Sequence, residues 1–537
     1  MLSKIKKSHL LSAISVLLII LFICMDQPSL YGKLAQMNTQ MPDIEKNFVV
    51  IFAYLVSFLC LLLASRAPTI IKYSLFVLIA VSTIVCDVFF LAGGKVLEYP
   101  DFIVLFQAKA NAFDAIAMYA PFIFKSLGHI AILLVAFLIV PQKGKKIVGG
   151  GALACFIALF CITLGVCIIK KGGATNKLPT TASIYALFAA YQIDNFTNPH
   201  IYKYTTDAQP KYPSKTPHLV LIVDESVRYD FSPFERIRLD TTENNLWHIY
   251  DFKLATSGAN CSATSNIILR KNAQPKHLKD DLYNNALIWS FANNAGYTTY
   301  LYDAQGLGKG HDYFDEKERE LISHNISQHI TNDTQILDAL SYLDSPQKSF
   351  TYIIKKGSHF PYESNYPKGF EVPFSSPYIQ KELPFRQNYI NAVVYQSDNF
   401  FNELFKKKFQ QPVMIIYTSD HGQNLKDTYG FTHCTTPDVK PYIGEGLVPL
   451  VVITNFKSKE LQKAQTENLN KTSHFNIIPT FLKEMGFEAS GSLYEPIREP
   501  LKGFFYRSVF GYFGSEPPYA EYIDPTLPDH IPTERFR

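Results

Sequence analysis

The chain has 537 residues, enough for more than one folding unit, and a formal net charge of only +4. So small a basic excess carries no nucleic-acid signature, and no partner of that kind is expected. Cys24, Cys60, Cys86, Cys155, Cys161 and Cys167 fall in apolar runs, where they act as small hydrophobes, leaving only Cys261 and Cys434 outside. The rest of the chain is large enough to fold on its core without a disulfide framework; whether those two cysteines pair is left open.

The apolar residues are concentrated at the start. His9–Met25, Phe48–Ala64, Tyr73–Gly93, Ile116–Val140 and Ile147–Ile169 each approach the about 20 residues that cross a bilayer. Asp87 interrupts the third run, and Lys125 and His129 the fourth; an amphipathic or tilted segment is the alternative for those two. Lys4, Lys6 and Lys7 precede the first run, and Lys143, Lys145 and Lys146 separate the fourth from the fifth. Both clusters are expected on the cytoplasmic side, so the fifth span exports the remainder of the chain; Lys170 and Lys171 run against that pattern. Asp26-Gln27-Pro28 lacks a small-residue cleavage site, which favours an uncleaved anchor over a signal peptide.

The chain thus divides into a transmembrane part over 1–171, a connector over 172–214 and an exported part over 215–537. In the connector, the aromatic-rich Ala182–Tyr191 reads either as a helix lying on the membrane surface or as one packed on the globular part. Beyond Pro217, the strand candidates are Leu219–Val223, Thr298–Tyr302, Thr351–Ile354, Val413–Thr418 and Val448–Thr454. They alternate with helix candidates at Asn285–Asn294, Thr334–Leu343, Asn388–Lys407 and His474–Met485. This alternation predicts an α/β unit with a largely parallel sheet and helices on both faces.

Two of the strands end in metal-binding side chains. His218–Asp224 runs into Glu225, and Val413–Thr418 runs through Ser419 into Asp420-His421-Gly422. Parallel strands bring such residues together at their carboxyl ends, and carboxylate with imidazole suits zinc or manganese. Between them lies a hydroxyl-rich loop, Ser257-Gly-Ala-Asn-Cys-Ser-Ala-Thr-Ser-Asn266. Its serine or threonine is either a nucleophile activated by a divalent ion or a plain helix cap at Ser262 or Thr264.

These segments resemble, in order, the motifs of the bacterial phosphoethanolamine transferases, membrane-anchored members of the alkaline-phosphatase/sulfatase superfamily. Asp224-Glu225-Ser226-Val227-Arg228 stands where the family has Gly-Glu-Thr-x-Arg. Cys261-Ser262-Ala263-Thr264 stands for its Gly-Thr-x-Thr, and Ser419-Asp420-His421-Gly422 for its Ser-Asp-His-Gly. Gly357-Ser358-His359-Phe360-Pro361 and His433, upstream of Val448-Pro449, are similar to its two histidine segments.

The resemblance implies a five-helix transmembrane bundle joined to an α/β alkaline-phosphatase-like catalytic domain in the periplasm, anchored in the bacterial inner membrane. It implies Ser262 as nucleophile, with Thr264 and Cys261 as the other residues in reach. Glu225, Ser262, Asp420 and His421 would hold Zn2+ in preference to Mn2+, with Asp224 as a further ligand or the site of a second metal. His359 and His433 would contact phosphate. The implied reaction moves phosphoethanolamine from phosphatidylethanolamine to a glycolipid or glycan, such as lipid A or the lipopolysaccharide core, through a phospho-enzyme. A sulfatase or phosphodiesterase, a phosphoglycerol transferase, and a non-catalytic receptor or assembly factor are the alternatives. Three departures stand out: serine replaces threonine at 262, Asp224 replaces glycine, and the disulfides of several transferases are absent. Cys261 also lacks the Pro and Arg that accompany a formylglycine cysteine in sulfatases.

Overall fold

The structure is a computed structural model that describes residues 2–26, 44–107, 112–140, 145–169, 178–197, 203–237, 247–305, 314–327, 332–373, 383–427, 432–435, 442–506 and 516–521. Lys143, Lys170, Lys171 and Gln27-Pro28 lie outside the described residues. The chain folds as two compact units that meet in sequence between Pro199 and His200.

The first unit is all helical: Leu2–Cys24, Ile44–Ser65, Thr69–Gly93, Tyr99–Gln107, Ala112–Leu138, Lys146–Ile169 and Ser183–Thr197. Among the described residues, Phe48–Ser65, Thr69–Gly93, Tyr119–Leu138 and Lys146–Ile169 are long and apolar enough to cross a membrane, whereas His9–Cys24 is apolar but shorter. Four helices of spanning length and one shorter apolar helix thus stand where five spans were expected. Two of the polar residues that interrupt the runs, Asp87 and His129, pair with each other. His129 Nδ1 lies 2.8 Å from Asp87 Oδ2, which also accepts from Ser126 at 3.1 Å, while His129 Nε2 reaches the Phe22 carbonyl at 2.8 Å. Pairing within the bundle is how ionisable groups are tolerated at such depth.

The expected connector is not one linker. Ser183–Thr197 packs within the helical unit: Tyr185 donates to the Leu78 carbonyl, and Tyr191 lies against Phe102 and Phe106. It leaves Phe188 and Phe196 exposed. The tail instead runs along the second unit, with backbone bonds from Lys203 to Tyr283, Tyr212 to Gly486 and Lys215 to Glu484.

Among the described residues the second unit is built on an eight-stranded sheet: β1 His218–Asp224, β2 His248–Thr256, β3 Thr298–Asp303, β4 His324–Ser327, β5 Ser349–Ile354, β6 Val413–Ser419, β7 Leu447–Thr454 and β8 Thr472–Ser473. They lie in the order β4-β3-β5-β1-β6-β7-β2-β8. From β4 to β6 all pairs are parallel; β7 is antiparallel to both β6 and β2, and β8 is parallel to β2. The sheet is therefore mixed, with five of these seven strand pairs parallel and β7 the reversed strand; its neighbour β2 is a strand the sequence pattern did not reveal. Asp251 and Lys253 alternate with the buried Tyr250, Phe252 and Leu254, so β2 lacks the unbroken apolar run of its neighbours, and its register shifts between Asp251 and Leu254 around Lys253, whose φ is 64°. Such a bulge inserts an unpaired residue and flips the side-chain period.

Every residue of β1, β5, β6 and β7 is buried, as helices on both faces require. On one face Leu219, Leu221, Tyr352 and Ile416 pack with Trp289 and Phe481; on the other Val220, Ile222, Ile353 and Ile415 pack with Leu340 and Phe401. The expected helix at Asn388–Lys407 starts earlier, at Leu383, and passes through a π-helical stretch at Val394–Asp398 before resuming at Asn399–Leu404. That widened turn directs Gln396, Ser397 and Asp398 into the interior beneath the ends of β1 and β5.

Reporter fusions test the membrane layout. A fusion after Lys146 is expected to report the cytoplasm and one after Lys211 the opposite side; both on one side would rule out the five-span layout, because Lys146–Ile169 would then not cross the membrane.

Candidate active site

β1 and β6 are neighbours in register, with Asp224 opposite Ser419, so Glu225 and Asp420 leave adjacent strand ends together. Ser226 then turns the chain through a left-handed backbone, φ 62°, which is uncommon for a residue with a side chain. The turn serves both acids: its N–H donates to Asp420 Oδ1 at 2.9 Å and its hydroxyl to Glu225 Oε1 at 2.7 Å. His421 donates its backbone N–H to Asp420 Oδ1 at 2.8 Å, and its Nδ1 to the Gly422 carbonyl at 2.7 Å. With Nδ1 carrying the proton, the Nε2 lone pair faces the two carboxylates, 3.5 Å from Asp420 Oδ2 and 3.8 Å from Glu225 Oε1. Two glycines make room for this packing. A Cβ at Gly422 would lie 2.0 Å from the Gly444 carbonyl, and one at Gly357 would meet Asp224 Oδ1 at 2.5 Å.

Ser262 completes the cluster from the side. It is the first residue of the helix Ser262–Ile268, and its Oγ lies 3.1 Å from His421 Nε2. The capping alternative does not hold for Ser262, because the cap position belongs to Cys261 and no side chain caps the helix. Thr264 comes two residues later, about 200° around the helix, and is buried. Cys261 is bonded to Cys434, with Cα atoms 4.7 Å apart. The expected absence of disulfides from this part of the chain is thereby corrected. Two loops far apart in sequence converge here, which spacing does not disclose. The bond also removes Cys261 as a nucleophile and as a precursor of formylglycine.

Asp224 does not join the cluster. Its Oδ2 accepts from Lys355 Nζ at 2.6 Å, Tyr417 at 3.0 Å and Ser397, and its Oδ1 from the Glu225 N–H at 3.1 Å. Lys355 is completely buried and also faces Asp333 at 3.5 Å. Asp224 is thus the counter-ion of a buried ammonium, which corrects its expected place as a metal ligand. Sequence pattern alone did not single out Lys355, although it comes directly after the last residue of β5 and the strand-end rule that found Glu225 and Asp420 reaches it. Gln305, just past β3, escaped it too; it donates to Glu225 Oε2 at 3.2 Å and to the Lys355 carbonyl. Arg228, fully buried, bridges Asp230 at 2.6 Å and Asp427 at 2.7 Å and so braces the segments after both strand ends.

His474, which no motif marked, is a strut. It sits 2.9 Å from the Ser419 carbonyl through Nε2, and its Nδ1 accepts from the Gly258 N–H at 3.1 Å. Burial pushes its basicity down to about 3, so it stays neutral. The two expected phosphate-binding histidines lie at the rim, half-buried over the buried floor. His433 stacks on His421 with ring centroids 4.4 Å apart. His359 turns Nδ1 to the Phe360 carbonyl at 2.6 Å.

Electrostatics explain what the floor demands. Burial and the neighbouring Glu225 charge push Asp420 above the usual carboxylate range. Burial also opposes charge on Glu225, but His359 and His421 outweigh it and hold Glu225 below that range. Two buried carboxyls this close favour one ionised and one protonated unless a cation joins them. Asp420 Oδ2 is buried without a hydrogen-bond partner. Glu225, Asp420 and His421 offer ligand atoms within 4.8 Å of one another. The separations of 3.1, 3.5 and 3.8 Å from His421 Nε2 to Ser262, Asp420 and Glu225 surround the about 3.3 Å between donors of a tetrahedral zinc site. The residues fit a single divalent ion with one imidazole, two carboxylates and one hydroxyl.

The sulfatase family profile matches residues 217–487, half of the chain, and the chain belongs to that family. Among solved structures it resembles the integral membrane lipooligosaccharide phosphoethanolamine transferase A (EptA) from Neisseria meningitidis. The identity is 16%, covering 89% of this chain and 96% of that one, with a TM-score of 0.58. The C-terminal periplasmic domain of EcEptC from Escherichia coli matches at 18% identity, 62% of this chain, 99% of that one and TM-score 0.48. Its complex with zinc matches at 18% identity, 62%, 98% and TM-score 0.47. No curated protein matches the sequence.

Two kinds of variant separate the floor from its support. Asp420→Asn is expected to lose bound metal, measured by elemental analysis, while the metal-free protein unfolds no more easily than metal-free wild type, because a repulsion is removed. Asp224→Ala is expected to keep its metal but lose about 3–5 kcal/mol of unfolding stability, since it strands a buried ammonium. Replacing the pair together, Asp224→Asn with Lys355→Met, recovers much of that loss in the same denaturation assay.

Proposed function

We propose that this chain is a zinc-dependent phosphoethanolamine transferase that uses Ser262 as nucleophile. The observation that carries the proposal is the Ser262 hydroxyl set 3.1 Å from His421 Nε2, over two buried carboxylates, in a chain that begins with apolar helices of spanning length. Glu225, Ser262, Asp420 and His421 would hold the ion, whose charge would make the Ser262 alkoxide accessible near neutral pH. The donor set of nitrogen and oxygen ligands favours Zn2+ over Mn2+.

Ser262 Oγ bonds to the phosphorus of phosphatidylethanolamine as the phosphorus–oxygen bond to diacylglycerol breaks, and the serine proton ends on the diacylglycerol oxygen. A hydroxyl of an envelope glycolipid, lipid A or a core sugar, then bonds to the phosphorus as the bond to Ser262 Oγ breaks, and its proton returns to the serine oxygen. His359 and His433 bind the non-bridging oxygens, where charge is greatest in such transfers. A water-insoluble donor accounts for a catalytic unit continuous with membrane helices, and the lysine clusters before the first and fifth apolar runs support a periplasmic catalytic unit anchored in the inner membrane. The disulfide at Cys261 favours this reading over a formylglycine sulfatase.

Incubating the full-length protein with phosphatidylethanolamine is expected to leave one phosphoethanolamine on the peptide containing Ser262, seen by mass spectrometry. Ser262→Ala abolishes it while leaving the fold intact, since Ser262 caps no helix, and Ser262→Thr keeps it. An adduct on Thr264 moves the nucleophile. Turnover to free phosphoethanolamine with no transfer to glycolipid makes the enzyme a hydrolase. Label from phosphatidylglycerol alone makes it a phosphoglycerol transferase.

A further inference from the structure

Cys261 immediately precedes Ser262, and Cys434, its partner 173 residues away, comes immediately after His433. The nucleophile and a rim histidine are therefore each one residue from the same covalent bond. Polar contacts reinforce the join. The Cys434 N–H donates to the Asn260 carbonyl at 2.9 Å, and Asn260 Nδ2 reaches the Thr435 carbonyl at 3.0 Å and Glu445 Oε2 at 2.9 Å. The same Glu445 oxygen accepts the Thr435 N–H at 3.2 Å and its hydroxyl at 2.8 Å, while the Glu445 carbonyl accepts from the Gly422 N–H at 2.9 Å. Glu445 is completely buried. The short segment 432–435 is thus fastened to the serine loop on one side and to the metal-ligand turn on the other. Cys434 itself takes a left-handed backbone, φ 56°, a conformation that a non-glycine residue holds only when its surroundings impose it.

We propose that the Cys261–Cys434 disulfide is a positioning element of the transfer site, setting the separation between the Ser262 hydroxyl and the His433 imidazole so that both engage one phosphate group. The proposal rests on the reading of Ser262 as nucleophile and of His433 as a phosphate contact. Neither sulfur touches the reacting atoms; the pair acts through the two residues beside it. The site is then complete only where the disulfide can form, which is the exported side of the membrane.

The test is a double-mutant cycle on the full chain, reading transfer from phosphatidylethanolamine and, separately, the affinity for inorganic phosphate by calorimetry. Cys261→Ala with Cys434→Ala is expected to lower kcat by about 10- to 100-fold, the loss a displacement of about 1 Å produces. KM for the lipid should change little. In a His433→Ala background the same cysteine replacement is expected to cost less than about two-fold, because the residue being positioned is gone. The phosphate affinities should show the same loss of effect. Should the cysteine variant fail to fold, the folded wild type is treated with a water-soluble phosphine. The reagent takes the oxygen of one water to become its oxide and leaves two thiols, and the same two readouts are repeated. Losses that multiply in the two backgrounds, a cysteine variant with full activity, or wild-type protein that binds no phosphate would overturn the inference. Coupled phosphate affinities without any lipid transfer would overturn the transferase reading alone.

Discussion

Two carboxylates buried side by side, Glu225 and Asp420, are the constraint on which the rest of the catalytic unit depends. Parallel pairing of β1 with β6 forces them together, and neither has water to spread its charge. The surroundings partly relieve the conflict. Ser226 and the His421 backbone donate to the pair, Gln305 donates to Glu225, and the imidazoles of His359 and His421 face Glu225. The uncompensated atom is Asp420 Oδ2. A divalent cation held there would supply that missing charge, and under the proposed reading it would also make the adjacent Ser262 hydroxyl a nucleophile. Stability and chemistry at this site thus have a single requirement.

Around the floor, charge is handled differently. Asp224 and Asp333 share the Lys355 ammonium, and Arg228 and Arg386 are set against Asp230 and Asp427, so each of these buried acids has a cation beside it. Such buried networks add little net stability, but each member removed strands another, so they hold their geometry tightly. They fix the carboxyl ends of β1 and β5 and the turns beyond β1 and β6, which is where precision is needed. The π-helical turn that delivers Ser397 and Asp398 belongs to this framework.

Much of this was legible in the sequence because the central strands are buried on both faces and read as unbroken apolar runs. β1, β3, β5, β6 and β7 all contain the stretches expected of them, and the acids come directly from where β1 and β6 stop. β2 was not legible, since Asp251 and Lys253 deny it an unbroken apolar run and its bulge shifts the register. Nor was the counter-ion role of Asp224, which depends on Lys355 at the end of β5, or the disulfide, which depends on where two loops of no regular pattern come to rest. In the membrane part, Asp87 and His129 looked like faults in two separate runs and are halves of one pair. Local pattern reveals an element; it does not reveal which distant side chain will neutralise it.

The most direct test of the metal-bearing floor is an anomalous-diffraction measurement on crystals of the zinc-loaded full-length protein, with data on both sides of the zinc absorption edge. One strong peak is predicted within about 2.0–2.2 Å of Glu225, Ser262, Asp420 and His421. A peak instead beside Asp224 and Asp333, or no peak at the Glu225–Asp420 floor, would contradict it.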